Sequence, residues 1–208
     1  MEPFLKCFRQ MKSGNGHMRL EDSSDVALMR DISIGRQDVL KVLMDRYMPM
    51  VSRTSFRILC DFSDSGIVTR DTFIRVWKNS SAFDGSMALS VWLLRITCGL
   101  CYGRLRRRRL LDLVSIRPDV YEASAPAALS PDEEYITRET WAIFCRASHE
   151  LSSRQRVVFT LRQLEGLSTE ETALITGMSF DNIRENLHVA RKRLRQELEK
   201  YGKVNWKY

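Results

Sequence analysis

The spacing of apolar residues is the feature that most limits the fold of this chain. From Leu40 to Leu59 they recur every three or four positions, which predicts one long core helix, with Pro49 as a kink or early-turn residue. No stretch shows the period of two that a half-buried strand requires. The sequence therefore predicts an all-α protein.

Two more helices are expected in the first half of the chain. A polar break, Asp61 to Ser65, precedes one that carries Phe73 and Trp77 on one side. A loop rich in Ser and Gly, Lys78 to Ser86, separates it from the next. That third helix has an apolar stripe and ends in a run of arginines: Leu89, Trp92, Leu93, Ile96 and Leu100, then Arg104 and Arg106 to Arg109.

The helical period fails between Asp112 and Pro131. This segment contains Pro118, Pro126 and closely spaced alanines, a composition typical of linkers. Acidic residues are frequent in it and in the turn that follows. We therefore expect two small helical domains, 25–111 and 132–208, joined by a flexible acidic linker at 112–131 and preceded by a mobile arm at 1–24.

The second domain carries the signals of a helix-turn-helix. Ser168 with Glu171 forms a capping box, Gly177 supplies a left-handed turn residue, and Ser179 caps a last helix. The motif also needs a small residue where its helices touch, a glycine at the turn and an apolar anchor in the second helix. These are Ala173, Gly177 and Ile183. An ordinary packed helical domain is the alternative, because such spacings also arise by chance.

The charge of the chain favours a polyanionic partner. Lys and Arg total 33 against 26 Asp and Glu, for a net charge of +7, and the positive residues cluster at 104–109 and 191–195. A solvated helix end that complements the helix dipole would explain part of the first cluster. Four consecutive arginines exceed that need, which favours contacts with a nucleic-acid backbone.

Two further features bear on nucleic-acid binding. The last helix has a polar face that can reach base edges and phosphates in a major groove. Its members are Asn182, Arg184, Glu185, His188, Arg191 and Lys192. Phe83, in the polar loop, can stack on an unpaired base or can fold back on the core as a loop anchor, and the sequence favours neither.

Several classes of protein are disfavoured by the sequence. Lys and Arg interrupt every apolar stretch well before the roughly 20 residues of a membrane span, so we expect no membrane insertion. Residues 1–22 contain no apolar run of signal-peptide length, which predicts a cytoplasmic protein. There is no Gly-rich phosphate loop, no nucleophile with a base and no apolar carboxylate pair, so we expect neither an enzyme nor a small-molecule substrate.

The five cysteines are odd in number and scattered, which predicts free thiols. Cys98 and Cys101 form a C-x-x-C pair, but a closed zinc site needs four ligands and no histidine lies at a matching spacing. We therefore interpret these cysteines as small residues packed in a helix, and expect no metal and no cofactor.

Taken together, the two halves resemble the extracytoplasmic-function sigma factors of bacterial RNA polymerase. The segments similar to conserved region two are Ile67 to Trp77, Val91 to Ile96 and Leu100 to Arg106. Those similar to region four are Leu151 to Phe159, Leu164 to Ser168 and Leu187 to Leu194. The likeness runs in order from about Asp25 to Lys200, with a linker where the family has one.

The resemblance implies core RNA polymerase and promoter DNA as partners. The helix Asp64 to Trp77 would dock on the polymerase clamp through Asp64, Arg70, Asp71 and Phe73. The minus-ten element would be opened and held by Lys78, Phe83, Tyr102, Arg104, Arg106, Arg107, Arg108 and Arg109. The minus-thirty-five element would be read by Asn182, Arg184, Glu185, His188, Arg191 and Lys192.

The chain departs from the family pattern at contact positions. Gly66 and Ile67 stand where the clamp helix usually carries an acidic pair, and Gly99 and Gly103 stand where the melting helix favours Asn and Asp. These changes remove side chains that could touch bases, so promoter recognition can require a recruiting partner, and an anti-sigma factor is another possible partner. The alternatives are a plain helix-turn-helix regulator and a degenerate sigma-like adaptor that does not open promoters.

Overall fold

The computed structural model describes residues 24–113 and 138–200. Within these ranges the chain forms eight α-helices and no strand, which confirms the all-α fold. The predicted arm, most of the predicted linker and residues 201–208 lie outside the described residues. The first half comprises α1 (Asp25–Ser33), α2 (Gln37–Leu59), α3 (Phe62–Lys78) and α4 (Leu89–Leu113), and the second half α5 (Arg138–Ser148), α6 (Ser153–Phe159), α7 (Thr169–Thr176) and α8 (Phe180–Lys200).

Helix α2 is the predicted long core helix, and it continues through Pro49. It ends at Leu59, and its C-cap is Cys60, whose backbone is left-handed at φ 50° and ψ 37°. The Asp61 side chain then accepts a hydrogen bond from the backbone N–H of Asp64 at 2.8 Å and caps α3. The expected polar break at 61–65 was therefore wrong: an efficient cap lets α3 begin at Phe62, and only Cys60 and Asp61 separate the two helices.

Helices α2, α3 and α4 pack on one another around the core of the first half. Phe73 is fully buried there, and Trp77 and Trp92 pack against the same cluster from its edge, as their helical phase predicted. The sequence suggested that α4 ends with the arginine run, but the helix extends beyond it. The helix continues to Leu113, two positions past the expected domain boundary, because residues 110–113 contain no proline or glycine that would stop it.

Helix α8 closes the second half with an apolar stripe that faces α5 and α6. The stripe follows the 3.6-residue period, and its members are Ile183, Leu187, Ala190, Leu194 and Leu198. The predicted capping box is present, since the Ser168 Oγ accepts from the Glu171 N–H at 3.1 Å and the Glu171 carboxylate accepts from the Ser168 N–H at 2.7 Å. Gly177 is left-handed at φ 70°, as the turn requires.

The two halves are packed together. Helix α4 lies against α6 and α7, and the end of α2 lies against the π-turn Thr160–Leu164 that follows α6. One apolar cluster spans the contact. Its fully buried members are Ile58, Leu59, Val68, Val91, Leu94, Cys98, Cys101 and Leu105 from the first half and Val157, Leu161 and Ile175 from the second. We call this packing the closed arrangement.

Candidate nucleic-acid and polymerase interfaces

The polar face of α8 is the most open of the predicted contact surfaces. All six of the residues expected to read DNA are exposed: Asn182, Arg184, Glu185, His188, Arg191 and Lys192. Arg184 forms an ion pair with Asp181 at 3.3 Å, and both side chains are largely exposed, so the pair costs little to break. The face is held in place by the buried stripe on the opposite side of the same helix.

Two contacts on α8 reduce the number of free donors. The Asn186 side-chain amide donates to the Asn182 carbonyl one turn earlier at 2.7 Å. The Arg191 Nε donates to the Gln163 Oε1 at 2.7 Å and joins the helix to the π-turn. Among the residues of α8 that were predicted to contact DNA, Arg184 and Lys192 are therefore the cations least engaged by other described residues. Glu185 places a carboxylate on the same face.

The arginine run on α4 divides into held and free side chains. Arg104 Nη1 lies 3.0 Å from Asp64 Oδ1, and Arg108 Nη2 lies 2.6 Å from Asp64 Oδ2 and 2.9 Å from Asp61 Oδ2. Arg106 and Arg107 are exposed and form no ion pair with another described residue. Sequence reasoning treated the run as one surface. Spacing along α4 could have separated its members, because residues 104 and 108 lie one turn apart on the side that faces α3.

Arg109 points toward the second half, where its guanidinium reaches the Leu151 carbonyl at 3.5 Å. Tyr102 also faces the second half. Its hydroxyl is buried without a hydrogen-bond partner among the described residues, and burial raises its pKa. The face of α4 that was expected to contact the minus-ten element is thus partly covered by α6 and α7.

The loop between α3 and α4 contains one short 3-10 turn, Ser80–Ala82. Phe83 follows it and packs edge-on against Trp92, with ring centroids 5.5 Å apart. The structure therefore shows the loop-anchor arrangement of Phe83. Lys78, at the end of α3, is exposed.

Of the four residues of α3 that were expected to contact polymerase, two are accessible and two are held or buried within the protein. Arg70 and Asp71 form an exposed ion pair at 3.1 Å. Asp64 is held by two arginines of α4, and Phe73 is 0% exposed. The prediction that Phe73 touches polymerase was wrong, because a side chain at the centre of the core cannot reach a partner. It supports the helix from behind.

A buried carboxylate that sequence reasoning missed links the two halves. The Glu165 side chain is only 5% exposed, and its oxygens lie 3.2 Å from both Arg53 Nη2 and Arg57 Nη1 of α2. Arg57 also donates to the Leu164 carbonyl at 2.8 Å and lies over the Trp141 ring, 5.8 Å from its centroid. No local sequence signal marks such a pair, because its members come together only when the halves pack.

No group of three or more His, Cys, Asp or Glu residues that could hold a metal ion occurs in the described ranges. Burial raises the pKa of Cys98 to about 12 and that of Cys101 above its usual range, as expected of thiols packed in a core. No described helix is long and apolar enough to cross a membrane.

The chain matches two family descriptions in the order of its two halves. Residues 43–110 match Sigma-70 region 2, and residues 146–194 match Sigma-70 region 4. Together the matched residues cover more than half of the chain. The first range spans most of α2 to α4, and the second begins within α5 and reaches into α8.

Relatives of known identity agree with these matches. The chain is 22% identical over 176 residues to the ECF RNA polymerase sigma factor SigW of Bacillus subtilis, covering 82% of this chain and 94% of the relative. It is 25% identical over 185 residues to the ECF RNA polymerase sigma-E factor of Haemophilus influenzae, covering 86% and 97%. The fold is similar, with a TM-score of 0.60 and 22% identity, to the sigma factor RpoE solved in complex with the anti-sigma factor NepR from Bartonella quintana, covering 76% of this chain and 96% of that one.

Proposed function

Because the chain belongs to the extracytoplasmic-function sigma factors of the sigma-70 family, we propose that its two halves divide promoter recognition between them. Helix α8, as the second helix of a helix-turn-helix, reads the minus-thirty-five element. Helix α4 and the loop before it engage the minus-ten element, and the exposed side of α3 around Arg70 and Asp71 docks on core polymerase. The protein acts in the cytoplasm by binding, and not by catalysis.

The observation that carries this proposal is the two-sided character of α8. Its apolar stripe is buried, while six polar residues of the opposite face are all exposed. A helix fixed on one side and polar on the other has the form that major-groove readout requires. Run-off transcription on a library of genomic fragments, with core polymerase and this protein, tests the proposal. A set of initiated fragments that share two elements at a constant spacing would support it.

The closed arrangement makes opening a step in the proposed function. Tyr102 cannot reach DNA while α6 and α7 lie over its side of α4, and its hydroxyl, which has no hydrogen-bond partner among the described residues, adds a cost to the closed state. Polymerase, by binding both halves, would favour an open arrangement through its greater affinity for it. Distance measurements between labels on exposed positions 45 and 195, with and without polymerase, test this step.

We further propose that initiation depends on a recruiting partner. An added Cβ at Gly66, Gly99 or Gly103 would meet nothing within 4 Å, so close packing does not explain these glycines. At these positions the family pattern has side chains that make contacts, and the glycines of this chain have none. Two or three missing base contacts, at about 1 to 3 kcal/mol each, lower promoter affinity by orders of magnitude, and a tethered partner can recover part of that loss.

Transcription in vitro with polymerase and this protein alone tests the need for a recruiter. Weak initiation that a cell extract strengthens would support it, and strong, sequence-specific initiation without any added factor would refute it. A plain helix-turn-helix regulator is the main competing function. Co-purification with core polymerase separates the two, because a regulator of that kind has no need of α1 to α4. An anti-sigma factor is a further proposed partner, which affinity purification would recover as a complex that lacks polymerase.

A further inference from the structure

A small polar cavity lies where the two halves meet in the closed arrangement. Its volume is about 70 Å³. Helix α4 contributes Arg108 and Arg109 to its lining, and the second half contributes His149, Ser153 and Arg156. Among the described residues that line the cavity there is no carboxylate. The cavity is therefore strongly basic, and both halves are needed to form it.

Arg156 is the most deeply buried of these cations, with 5% of its surface exposed. Its guanidinium donates to the Ser148 carbonyl at 2.6 Å and to the Ile58 carbonyl at 3.5 Å, and its Nε is buried with no hydrogen-bond partner among the described residues. Backbone carbonyls at helix ends carry only a partial negative charge. Buried cations are normally paired with a full counter-charge, because removing them from water is costly. No described carboxylate forms an ion pair with Arg156.

Arg108 and Arg109 bring two more positive charges to the cavity. Arg109 is exposed, and its guanidinium reaches the Leu151 carbonyl at 3.5 Å without an ion pair to a described carboxylate. Burial lowers the pKa of Arg156, and the charges of Arg108 and Arg109 act in the same direction. The three like charges are thus close enough to repel one another. An anion among them would offset this repulsion.

The carboxylates nearest the cavity do not balance these charges. Asp61 and Asp64 both accept from Arg108, and Asp64 also accepts from Arg104. Two carboxylates therefore serve four guanidinium groups when the other two arginines of the cavity are included. An excess of about two positive charges remains, which matches the charge of a phosphate group near neutral pH, roughly −1.5 to −2.

The chemistry and the size of the cavity fit an oxyanion as large as phosphate. The planar N–H forks of arginine match the oxygens of phosphate, to which they can donate in pairs. A single water requires about 10 to 15 Å³ of such space, so the cavity holds a few waters or one such ion, whereas drug-sized ligands need about 300 Å³ or more. Arg109 and His149 are both exposed, so an ion can enter from solvent beside them.

We propose that this cavity binds one free phosphate ion, which bridges α4 and the second half. Arg109 and Arg156 are its principal cations, because neither forms an ion pair with a described carboxylate, and the Ser153 hydroxyl can donate to a phosphate oxygen. An ion that is bound by both halves stabilises the closed arrangement relative to an open one. Phosphate therefore opposes opening by polymerase.

Isothermal titration calorimetry of the full-length protein tests the site. Orthophosphate is the titrant, the buffer contains no other phosphate or sulfate, and sodium chloride keeps the ionic strength constant. We expect saturable binding of one ion per chain. Arg109→Ala should weaken this binding about tenfold or more, through the loss of a charged hydrogen-bond donor. Arg107→Ala is the matched control and should leave it unchanged, because Arg107 is exposed on the same helix but does not line the cavity.

A second variant places a negative charge in the cavity. Ser153→Asp should abolish the binding of orthophosphate, because the new carboxylate repels the ion. Ser153 is the first residue of α6, where an acidic side chain is favourable, so this variant should keep its helical content by circular dichroism. The two variants remove the site in opposite ways, one by loss of a cation and one by gain of an anion.

The absence of saturable binding to wild type would overturn the proposal. Equal losses in Arg107→Ala and Arg109→Ala would also do so, because they would indicate an adventitious ion on a basic surface. Displacement of orthophosphate by ATP would assign the cavity to a larger phosphorylated ligand instead of a free ion. Binding that occurs only in the triple variant Asp132→Asn, Glu133→Gln and Glu134→Gln would show that a carboxylate of this chain fills the cavity.

The effect on opening rests on the proposed function, and label distances between positions 45 and 195 measure it. We expect phosphate to raise the polymerase concentration that lengthens this distance about tenfold, within the range of ordinary conformational coupling. Chloride at the same ionic strength should have no such effect, and phosphate should have none on Ser153→Asp. An unchanged requirement for polymerase in wild type, despite binding of the ion, would overturn the bridging role. If polymerase does not lengthen the distance even without phosphate, the proposed opening fails, and calorimetry still decides whether the ion binds.

Discussion

Arg57 of α2 and Glu165 of the second half form an ion pair across the closed arrangement, with Nη1 3.2 Å from Oε1. Their side chains are 11% and 5% exposed, so water screens the pair little. A buried pair of this kind adds little net stability, but the loss of one partner leaves an uncompensated charge. The pair thus makes the closed arrangement sensitive to a single substitution.

Glu165→Gln should open the molecule. Arg57 would remain buried without its counter-charge in the closed state but would be solvated in the open one, a difference of about 3 kcal/mol. Small-angle scattering should show a larger radius of gyration, with unchanged helical content by circular dichroism. Glu170→Gln, at an exposed position of α7, is the control and should leave the radius as it is. An unchanged radius in Glu165→Gln would show that apolar packing alone holds the halves together.

Arg107→Ala and Arg108→Ala should have different effects although the residues are adjacent. Arg107 is exposed without an ion pair among the described residues, so its loss should weaken binding to all DNA. The slope of log binding constant against log salt concentration should become shallower by about one unit. Arg108 holds Asp61 and Asp64, so its loss should lower the free energy of unfolding by about 1 to 3 kcal/mol. Salt titrations of DNA binding and urea unfolding measure the two effects. Equal effects of both variants in both assays would contradict the division of the arginine run.

Arg184→Ala should alter sequence preference on DNA. Its guanidinium lies on the exposed face of α8 in a weak pair with Asp181, and a bidentate base contact carries about 1 to 3 kcal/mol of discrimination. Binding to a panel of single-base variants of the minus-thirty-five element should show relaxed preference at one or two positions. Arg195→Ala, exposed farther along α8, should weaken all sites alike. The prediction fails if both variants lose affinity uniformly.

Asp71→Lys should reduce co-purification with core polymerase without lowering helical content. Asp71 is paired only with its exposed neighbour Arg70 among the described residues, so its substitution reverses a surface charge and leaves the core intact. Asp45→Lys, an exposed position on α2, is a charge-matched control. Retained binding by Asp71→Lys would place the polymerase contact on another surface.

Replacement of glycine by alanine should change stability in opposite directions on α4 and at the turn. Gly99→Ala and Gly103→Ala should each raise the free energy of unfolding by up to about 1 kcal/mol, because both residues are helical and the added Cβ meets nothing within 4 Å. Gly177→Ala should lower it by about 1 to 2 kcal/mol, because φ is 70° there. Thermal or urea unfolding measures all three. A loss of stability at Gly99 or Gly103 would indicate strain that the present packing does not show.

Several features of the second half depend only on residues close together in the sequence, so the sequence by itself determined them. The capping box Ser168–Glu171 and the left-handed turn at Gly177 depend on residues within a few positions of one another, so their spacing was sufficient to predict them. The apolar stripe of α8 follows from the helical period alone. The exposed polar face on the other side of that helix then follows by geometry.

Tertiary packing decided the features that connect residues distant in the sequence. The Glu165 ion pairs, the covered side of α4 at Tyr102, and the contact between Cys60 and Ser148 all arise where the two halves meet. The division of the arginine run is similar, because Arg108 is held by Asp61 and Asp64 at the start of α3, whereas its neighbour Arg107 forms no ion pair with another described residue. Spacing along the chain defines the faces of each helix, but which faces meet depends on the sum of many weak contacts formed only in the folded protein.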